Sequence, residues 1–102
     1  MTEKEPITVA VDEDIIDLVP GYLENRRRDL EEAHKALEAR DFETLRVIGH
    51  QMKGSGGGYG MDRLTEVGQG LEEASKASDV EGVRDGVERL EDYLERVRVV
   101  PE

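Results

Sequence analysis

The amino-acid sequence predicts an all-α fold, an antiparallel up-and-down bundle of four helices with a short additional helix near the N-terminus. Two observations support this prediction. Apolar residues recur every three or four positions along most of the 102 residues, which is the spacing of one face of an α-helix. Charged residues make up 38% of the chain, with one Phe and no Trp, which suits amphipathic helices better than a thick sheet core. Residues 1–102 are expected to form one domain.

The N-terminal segment is predicted to form a flexible tail followed by a short helix. Residues 1–7 have the composition of a flexible tail. The β-branched residues between Ile7 and Val11 are the main strand signal, and they are too few for a sheet. Asp12 is a favourable N-cap for a short helix that reaches Leu18, and we expect this helix to lie across one end of the bundle.

The first two long helices have clear boundary signals. Pro20 fits the first turn of a helix, and the apolar spacing that follows continues to about Ala39. Asp41 is a candidate N-cap for the next helix, which begins with Phe42 and runs into a cluster of glycines. These signals predict two helices joined by a short connection.

The last two helices have similar signals. Asp62 is a candidate N-cap for the third long helix, which should end near Ala77 or Ser78. Asp79 opens the fourth, which is predicted to continue until Pro101 stops it. The apolar residues of the fourth helix are Val80, Val83, Val87, Leu90, Leu94 and Val97. The short connections between all four helices favour an antiparallel up-and-down bundle.

Glycine is concentrated in one short stretch of the chain. Six of the 11 glycines lie within twelve consecutive residues, at Gly49, Gly54, Gly56, Gly57, Gly58 and Gly60. A glycine inside a helix costs roughly 1 kcal/mol relative to alanine, so the cluster implies either a turn or a surface that must stay bare. Gly56 to Gly60 can form a turn, whereas Gly54 is harder to explain in that way.

His50 is predicted to be exposed on the helix that begins at Phe42. At about 100° per residue, it lies roughly 150° from the centre of the core face of its helix. That core face consists of Leu45, Ile48, Gly49, Met52 and Gly56. Lys53 and Gly54 flank the imidazole on the next turn, and Gly57 follows one turn later. We expect an exposed imidazole beside one ammonium group. The positions where a partner protein is expected to dock are Gln51, Gly54 and Gly57.

This arrangement suits phosphoryl transfer. A neutral imidazole, whose ordinary pKa is about 6.5, is a competent nucleophile at physiological pH. Lys53 can offset negative charge on the phosphoryl oxygens. A hydrogen-bond acceptor on a neighbouring helix would hold the ring with one nitrogen facing outward. Glu72, next to the core residue Leu71, is the candidate, because an antiparallel hairpin would bring it alongside His50.

Several short motifs around His50 match a known family. They are His50-Gln51-Met52-Lys53-Gly54-Ser55, Gly60, Leu64, the pair Leu71-Glu72, and upstream Asp17–Pro20, Leu23–Arg27 and Asp41-Phe42. With these motifs, residues 8 to 95 resemble the histidine phosphotransfer (HPt) domains of bacterial multistep phosphorelays. Met52 replaces a more usual Leu, and Gly56 to Gly58 are richer in glycine than is usual. Neither difference touches the acceptor chemistry.

The resemblance implies a four-helix bundle in which an exposed histidine accepts a phosphoryl group. It assigns this role to His50 and places Lys53 near the phosphoryl oxygens. It makes Gly54 the small residue that gives a receiver domain access. It also implies that Glu72 hydrogen-bonds the inner nitrogen of the imidazole.

The implied function is that of a phosphoryl carrier in two-component signal transduction. His50 would accept the group from a receiver-domain aspartate or from a kinase and relay it to another receiver. The expected partners are response-regulator receiver domains, a sensor histidine kinase, or both. Because no nucleotide-binding motif is present, the chain is not expected to be an enzyme. We expect no cofactor on this chain, and the Mg²⁺ of the reaction would belong to the receiver.

Two other functions stay open at the level of the sequence. The chain could be a helical interaction module that binds partners without covalent chemistry. It could also be the phosphoacceptor module of a chemotaxis-type histidine kinase, phosphorylated by an ATP-binding domain on another chain. The nature of the phosphoryl donor distinguishes the second of these from the relay.

Charge and composition argue against several classes of partner and site. A net charge of −11 disfavours nucleic acid and anionic membranes. No metal site is expected, since Cys is absent and the two histidines, His34 and His50, lie far apart in the sequence. There is neither a leader-like nor a membrane-spanning stretch, so we expect a cytoplasmic protein. We also expect it to be a monomer. The initial Met1 favours a complete chain.

Overall fold

Within residues 5–102, which the computed structural model describes, four α-helices form the body of the protein. Each helix packs against the next along the chain, and the first also packs against the last, which closes an up-and-down bundle. The helices are α1 (Val19–Ala39), α2 (Phe42–Gly56), α3 (Asp62–Lys76) and α4 (Val80–Arg96). The predicted four-helix fold is confirmed.

The core consists of aliphatic side chains on the inner faces of the helices. The second, third and fourth helices supply most of the large side chains that are almost completely buried, whereas α1 contributes Val19, Tyr22 and Leu23 together with the small Ala33 and Ala36. The largest buried helical side chains are Leu45, Met52, Leu64, Leu71, Val83, Val87 and Leu90. All of them occupy positions that the helical spacing of the sequence assigns to the core.

Two of the three aspartate N-caps predicted for the long helices are confirmed. Asp41 at the start of α2 and Asp79 at the start of α4 each accept a hydrogen bond of 3.1 Å from the backbone N–H three residues later. The prediction for Asp62 is wrong, because Met61 is the N-cap of α3 and Asp62 lies in the first turn. Met61 is fixed at the start of α3 because its side chain is fully buried and its backbone N–H donates to the Gly56 carbonyl at 2.9 Å.

A two-stranded parallel sheet, which the sequence analysis did not expect, lies beside the bundle. Strand β1 (Ile7–Val11) pairs with strand β2 (Val97–Pro101), with Ile7 opposite Val97. The last helix accordingly ends at Arg96 and does not continue to Pro101. Three of the five residues of β2 are valines, whose branched side chains fit a pleated surface better than a helix. The two strands are far apart in the sequence, so local periodicity could not reveal their pairing.

The short N-terminal helix predicted to start after Asp12 is only a 3₁₀ turn at Ile16–Leu18. Asp12 caps a local turn instead, since its carboxylate accepts a hydrogen bond from Asp14 N at 2.8 Å. Pairing in the sheet fixes the chain as far as Val11, and α1 begins at Val19. Too few residues remain between these two points for a stable α-helix.

Glu5 and Ile7 belong to the predicted flexible tail of residues 1–7, but both are bound to the rest of the chain. Ile7 lies in β1, and the Glu5 carbonyl accepts a hydrogen bond from Arg96 Nε at 2.8 Å. Residues 1–4 lie outside the described part of the chain. The segment before the bundle is therefore tied to the end of α4 from Glu5 onward.

Candidate functional site

A close crossing of α2 and α3 places the residues of the candidate site. A Cβ added to Gly49 would lie 2.7 Å from Gly68 O and 2.7 Å from Glu72 N. A Cβ on Gly68 would lie 2.5 Å from Lys53 N. Both positions therefore need glycine at this helix separation. His50 follows Gly49 directly, and Glu72 lies one turn after Gly68, so the crossing brings the imidazole and the carboxylate together.

His50 projects from α2 into solvent and is hydrogen-bonded on its inner side. Its side chain is 63% exposed, as its helical phase predicts. Its Nδ1 lies 3.0 Å from Glu72 Oε2. An ionised carboxylate only accepts hydrogen bonds, so it favours the tautomer in which Nδ1 carries the proton and Nε2 keeps its lone pair. The neutral ring therefore has its unprotonated nitrogen on the side away from Glu72.

The Glu72 carboxylate is the buried centre of the cluster. Its side chain is only 6% exposed. Lys53 Nζ lies 2.8 Å from Oε1, and Lys76 Nζ lies 3.8 Å from Oε2. Two ammonium groups and one imidazole thus surround the carboxylate and offset the cost of burying its charge.

These contacts keep Glu72 ionised. The hydrogen bond from Lys53 has the largest effect, and together with the hydrogen bond from His50 and the charge of Lys76 it lowers the pKa of Glu72 from 4.5 to about 2. Burial acts in the opposite direction and is outweighed. At neutral pH the carboxylate is therefore available as an acceptor for the imidazole N–H.

The surface of α2 beside His50 is nearly bare. Nothing lies within 4 Å of the position that a Cβ on Gly54 would occupy, and a Cβ on Gly57 would meet only one atom, at 4.0 Å. Gln51 is exposed. Val47, one turn before His50, is 37% exposed and adds an apolar side chain to this surface. A partner could therefore approach the imidazole closely.

The C-terminal end of α2 is held by residues of α1. Ser55 Oγ forms a hydrogen bond of 2.8 Å with Tyr22 OH and accepts one from Arg26 Nη1 at 3.2 Å. The Tyr22 ring stacks on Tyr59, with centroids 4.2 Å apart. Gly60, with a φ of 72°, lets the chain turn toward α3. The glycine-rich segment after the candidate site is thus anchored on the bundle.

The structure brings together the three side chains that the sequence analysis assigns to the site chemistry, His50, Lys53 and Glu72. The ammonium group of Lys53 is not free beside the imidazole, since it contacts Glu72. The three predicted docking positions are all exposed.

Two further residues of the cluster are not singled out by the sequence analysis as site residues. These residues are Gly68 and Lys76. They lie four residues before and four residues after Glu72, on the same face of α3. That spacing around Glu72 is the signal that could have identified them.

The fold and the cluster define an all-α module that exposes a histidine bound to a buried carboxylate. The model of the Hpt domain family matches residues 17–99, and the chain belongs to this family. Domains of this family are phosphocarriers rather than enzymes, take part in histidine phosphotransfer in phosphorelays, and interact with receiver domains or kinases. No curated protein and no solved structure matches the chain significantly.

In the part of the chain that the structure describes, no helix combines the length and apolar character needed to cross a bilayer.

Proposed function

We propose that this chain carries a phosphoryl group on His50 and relays it between receiver domains of a two-component system. The observation that supports this proposal most strongly is the pairing of an imidazole that is 63% exposed with a carboxylate that is 6% exposed, at 3.0 Å. An imidazole held at Nδ1 can offer Nε2 to a partner without rearranging.

In the proposed reaction, His50 Nε2 attacks the phosphorus of an aspartyl phosphate on a receiver. The N–P bond forms, the bond between phosphorus and the aspartate oxygen breaks, and the aspartate leaves as a carboxylate. The Nδ1 proton stays on the ring, which becomes cationic, and Glu72 offsets the new charge. Transfer to an aspartate on a second receiver reverses these steps. The Mg²⁺ that this chemistry uses would be held by the receiver.

Lys53 is proposed to bind the phosphoryl oxygens. It lies three residues after His50 on α2, close enough along the helix for the two side chains to be neighbours. Its side chain is 39% exposed, and its flexible stem allows the ammonium group to leave Glu72 for a new anion. This movement would reduce the negative charge that the transfer brings to the surface of α2.

The docking face is proposed to comprise Gln51, Gly54 and Gly57. The two glycines let the backbone of a receiver come near the imidazole, and Gln51 offers an amide for hydrogen bonds at the edge. The exposed side chain of Val47 supplies apolar area on the same helix. A macromolecular partner fits this open surface better than a small ligand, which would need a concave pocket.

Labelling by a charged receiver tests the proposed function. A receiver that carries radiolabelled aspartyl phosphate should label the wild-type chain and the His34→Gln control, and should leave the His50→Gln variant unlabelled. The label should be lost in acid and retained in base, because it is bound to nitrogen. Equal labelling of His50→Gln would contradict the proposal.

The nature of the donor is tested separately. Incubation with a histidine kinase and ATP, without a charged receiver, shows whether a kinase can phosphorylate the chain directly. Binding of receivers without any labelling of the wild type would favour a non-covalent interaction module instead.

A further inference from the structure

We propose that Lys76 is a positioning residue that replaces Lys53 on Glu72 when His50 is phosphorylated. The inference rests on the proposed function of His50. In the unphosphorylated protein, Lys53 occupies Oε1 of the carboxylate at 2.8 Å, and His50 Nδ1 occupies Oε2 at 3.0 Å. Lys76 Nζ lies 3.8 Å from Oε2, a distance too long for a hydrogen bond but within the range of an ion pair.

Phosphorylation changes the charges on both sides of Glu72. The ring becomes cationic when Nε2 binds phosphorus and Nδ1 keeps its proton, so its contact with Oε2 strengthens. The phosphoryl group adds nearly two negative charges outside the ring, which attract Lys53. When Lys53 moves outward, Oε1 loses the ammonium group that neutralised it. An oxygen of a carboxylate this deeply buried is costly to leave without a partner.

Lys76 lies beside the same carboxylate, 3.8 Å from Oε2, and would move from there to the vacated Oε1. It follows Glu72 by four residues on α3, and this order of acid and base is the favourable one on a helix. Its side chain is 60% exposed, so it has room to move. The guanidinium of Arg46 also interacts with Glu72 at longer range, but two contacts of 2.6 and 3.2 Å hold it on Glu43. Lys76 is therefore the available cation in the described structure.

The equilibrium of phosphoryl transfer tests this proposal. Lys76→Gln should shift the equilibrium between chain and receiver toward the phosphorylated receiver by about two- to fivefold, the effect expected for one exposed ion pair. The receiver concentration that gives the half-maximal transfer rate should not change. Lys35→Gln removes the same charge from an exposed position on α1 and should behave as the wild type. Lys76→Arg keeps the cation and should restore the equilibrium.

NMR of the lysine ammonium groups gives a readout that a purely structural role would not change. In the phosphorylated wild type, the Lys53 Nζ resonance should move away from its position in the unphosphorylated protein. In phosphorylated Lys76→Gln, it should lie closer to the unphosphorylated position, because Lys53 is then drawn back to Glu72. The tautomer of unphosphorylated His50 should be the same in both proteins.

Two outcomes would overturn the role of Lys76. One is an equal transfer equilibrium for Lys76→Gln and Lys35→Gln. The other is an effect confined to the half-maximal receiver concentration, which would assign Lys76 to docking. Failure of the proposed function would be recognised separately. In that case the wild-type chain itself would carry no label on His50, whatever the lysine variants show.

Discussion

Glu72 is the residue that sets the orientation and the tautomer of the His50 imidazole. An exposed histidine without a partner exchanges between two neutral tautomers. A carboxylate 3.0 Å from Nδ1 favours one of them and leaves Nε2 as the nucleophilic atom. The carboxylate can stay ionised in a buried place because Lys53 and Lys76 lie beside it. The proposed chemistry of an exposed ring thus depends on a residue that solvent barely reaches.

Removing this carboxylate should change both the tautomer and the rate of transfer. In Glu72→Ala, the His50 ring should shift toward the tautomer protonated at Nε2, and phosphoryl transfer should slow roughly tenfold or more, the effect of losing a hydrogen bond to a charged group. Long-range ¹H–¹⁵N NMR and transfer kinetics measure the two effects. Glu73→Ala, which removes the neighbouring exposed acid, should match the wild type. An unchanged tautomer in Glu72→Ala would remove Glu72 from the site.

The low pKa of Glu72 predicts how its contribution to stability depends on pH. Its pKa is about 2 in the folded protein, below the ordinary value of 4.5. A depressed folded pKa gives stability that is fully present above pH 4.5 and is lost as the pH falls toward 2. Urea unfolding should therefore show a gap in stability between wild type and Glu72→Gln at about pH 5.5 that narrows by about pH 3. A gap that widens over this range would contradict the charged network.

The crossing of α2 and α3 is the element that assembles the site. The two helices are joined by a short glycine-containing turn, so they pack as a hairpin. Gly49 and Gly68 allow the backbones of α2 and α3 to approach closely, which places His50 beside Glu72. Glycine has a different role at Gly54, where open space surrounds the position. Packing explains the first two glycines, and access by a partner is the proposed reason for the third.

Alanine substitutions at Gly49 and Gly54 should have opposite effects on stability. Gly49→Ala forces a methyl group against backbone atoms 2.7 Å away and should cost about 1–3 kcal/mol. Gly54→Ala meets no atom and should gain up to about 1 kcal/mol, because alanine is the better helix former. Urea unfolding of the two variants, which differ from the wild type by one methyl group each, measures the contrast. Changes of the same sign would contradict the close crossing.

Helical phase was sufficient to predict the exposure of His50 and its approach to Glu72. Both follow from periodicity and from the antiparallel order of neighbouring helices. The partner of Lys53 could not be predicted in this way. A helical wheel gives the face of a side chain, but the choice between solvent and a buried carboxylate depends on the distance between the two helices. That distance is set here by Gly49 and Gly68.

The sheet could not be predicted from local sequence. The residues of β1 have the composition of a strand, but a strand is stable only with a partner. That partner, β2, reads in the sequence as the end of the last helix, because Val97 continues the apolar spacing of α4. The competition between helix and strand at Val97 is decided by pairing with Ile7, a contact that no local pattern contains.

At the scale of the whole molecule, negative charge is spread unevenly over the helices. The chain has a net charge of −11, yet α2 carries one acidic residue, Glu43, and two basic residues, Arg46 and Lys53. The other three helices each carry more acidic than basic residues. The helix that bears His50 is therefore the one that least repels an acidic phosphorylation pocket on a partner.

The two-stranded sheet packs against the hydrophobic core of the bundle. Val11 and Val97 are 1% and 7% exposed, so the strands belong to the hydrophobic core. Val97→Ala should therefore cost about 1–3 kcal/mol of stability. Val100, 39% exposed in the same strand, provides the control, and Val100→Ala should change stability by less than about 0.5 kcal/mol. Equal losses in the two variants, measured by urea unfolding, would show that β2 does not pack as described.

The position of the phosphoryl group on the imidazole tests the proposed roles of His50 and Glu72. The chain, labelled with ¹⁵N in its histidines, is phosphorylated by a charged receiver, and the ring nitrogens are observed by ¹H–¹⁵N and ³¹P NMR. We expect phosphorus on Nε2 of His50, with the proton retained on Nδ1 beside Glu72. Phosphorus on Nδ1 of His50, on His34 or on a carboxylate would contradict it.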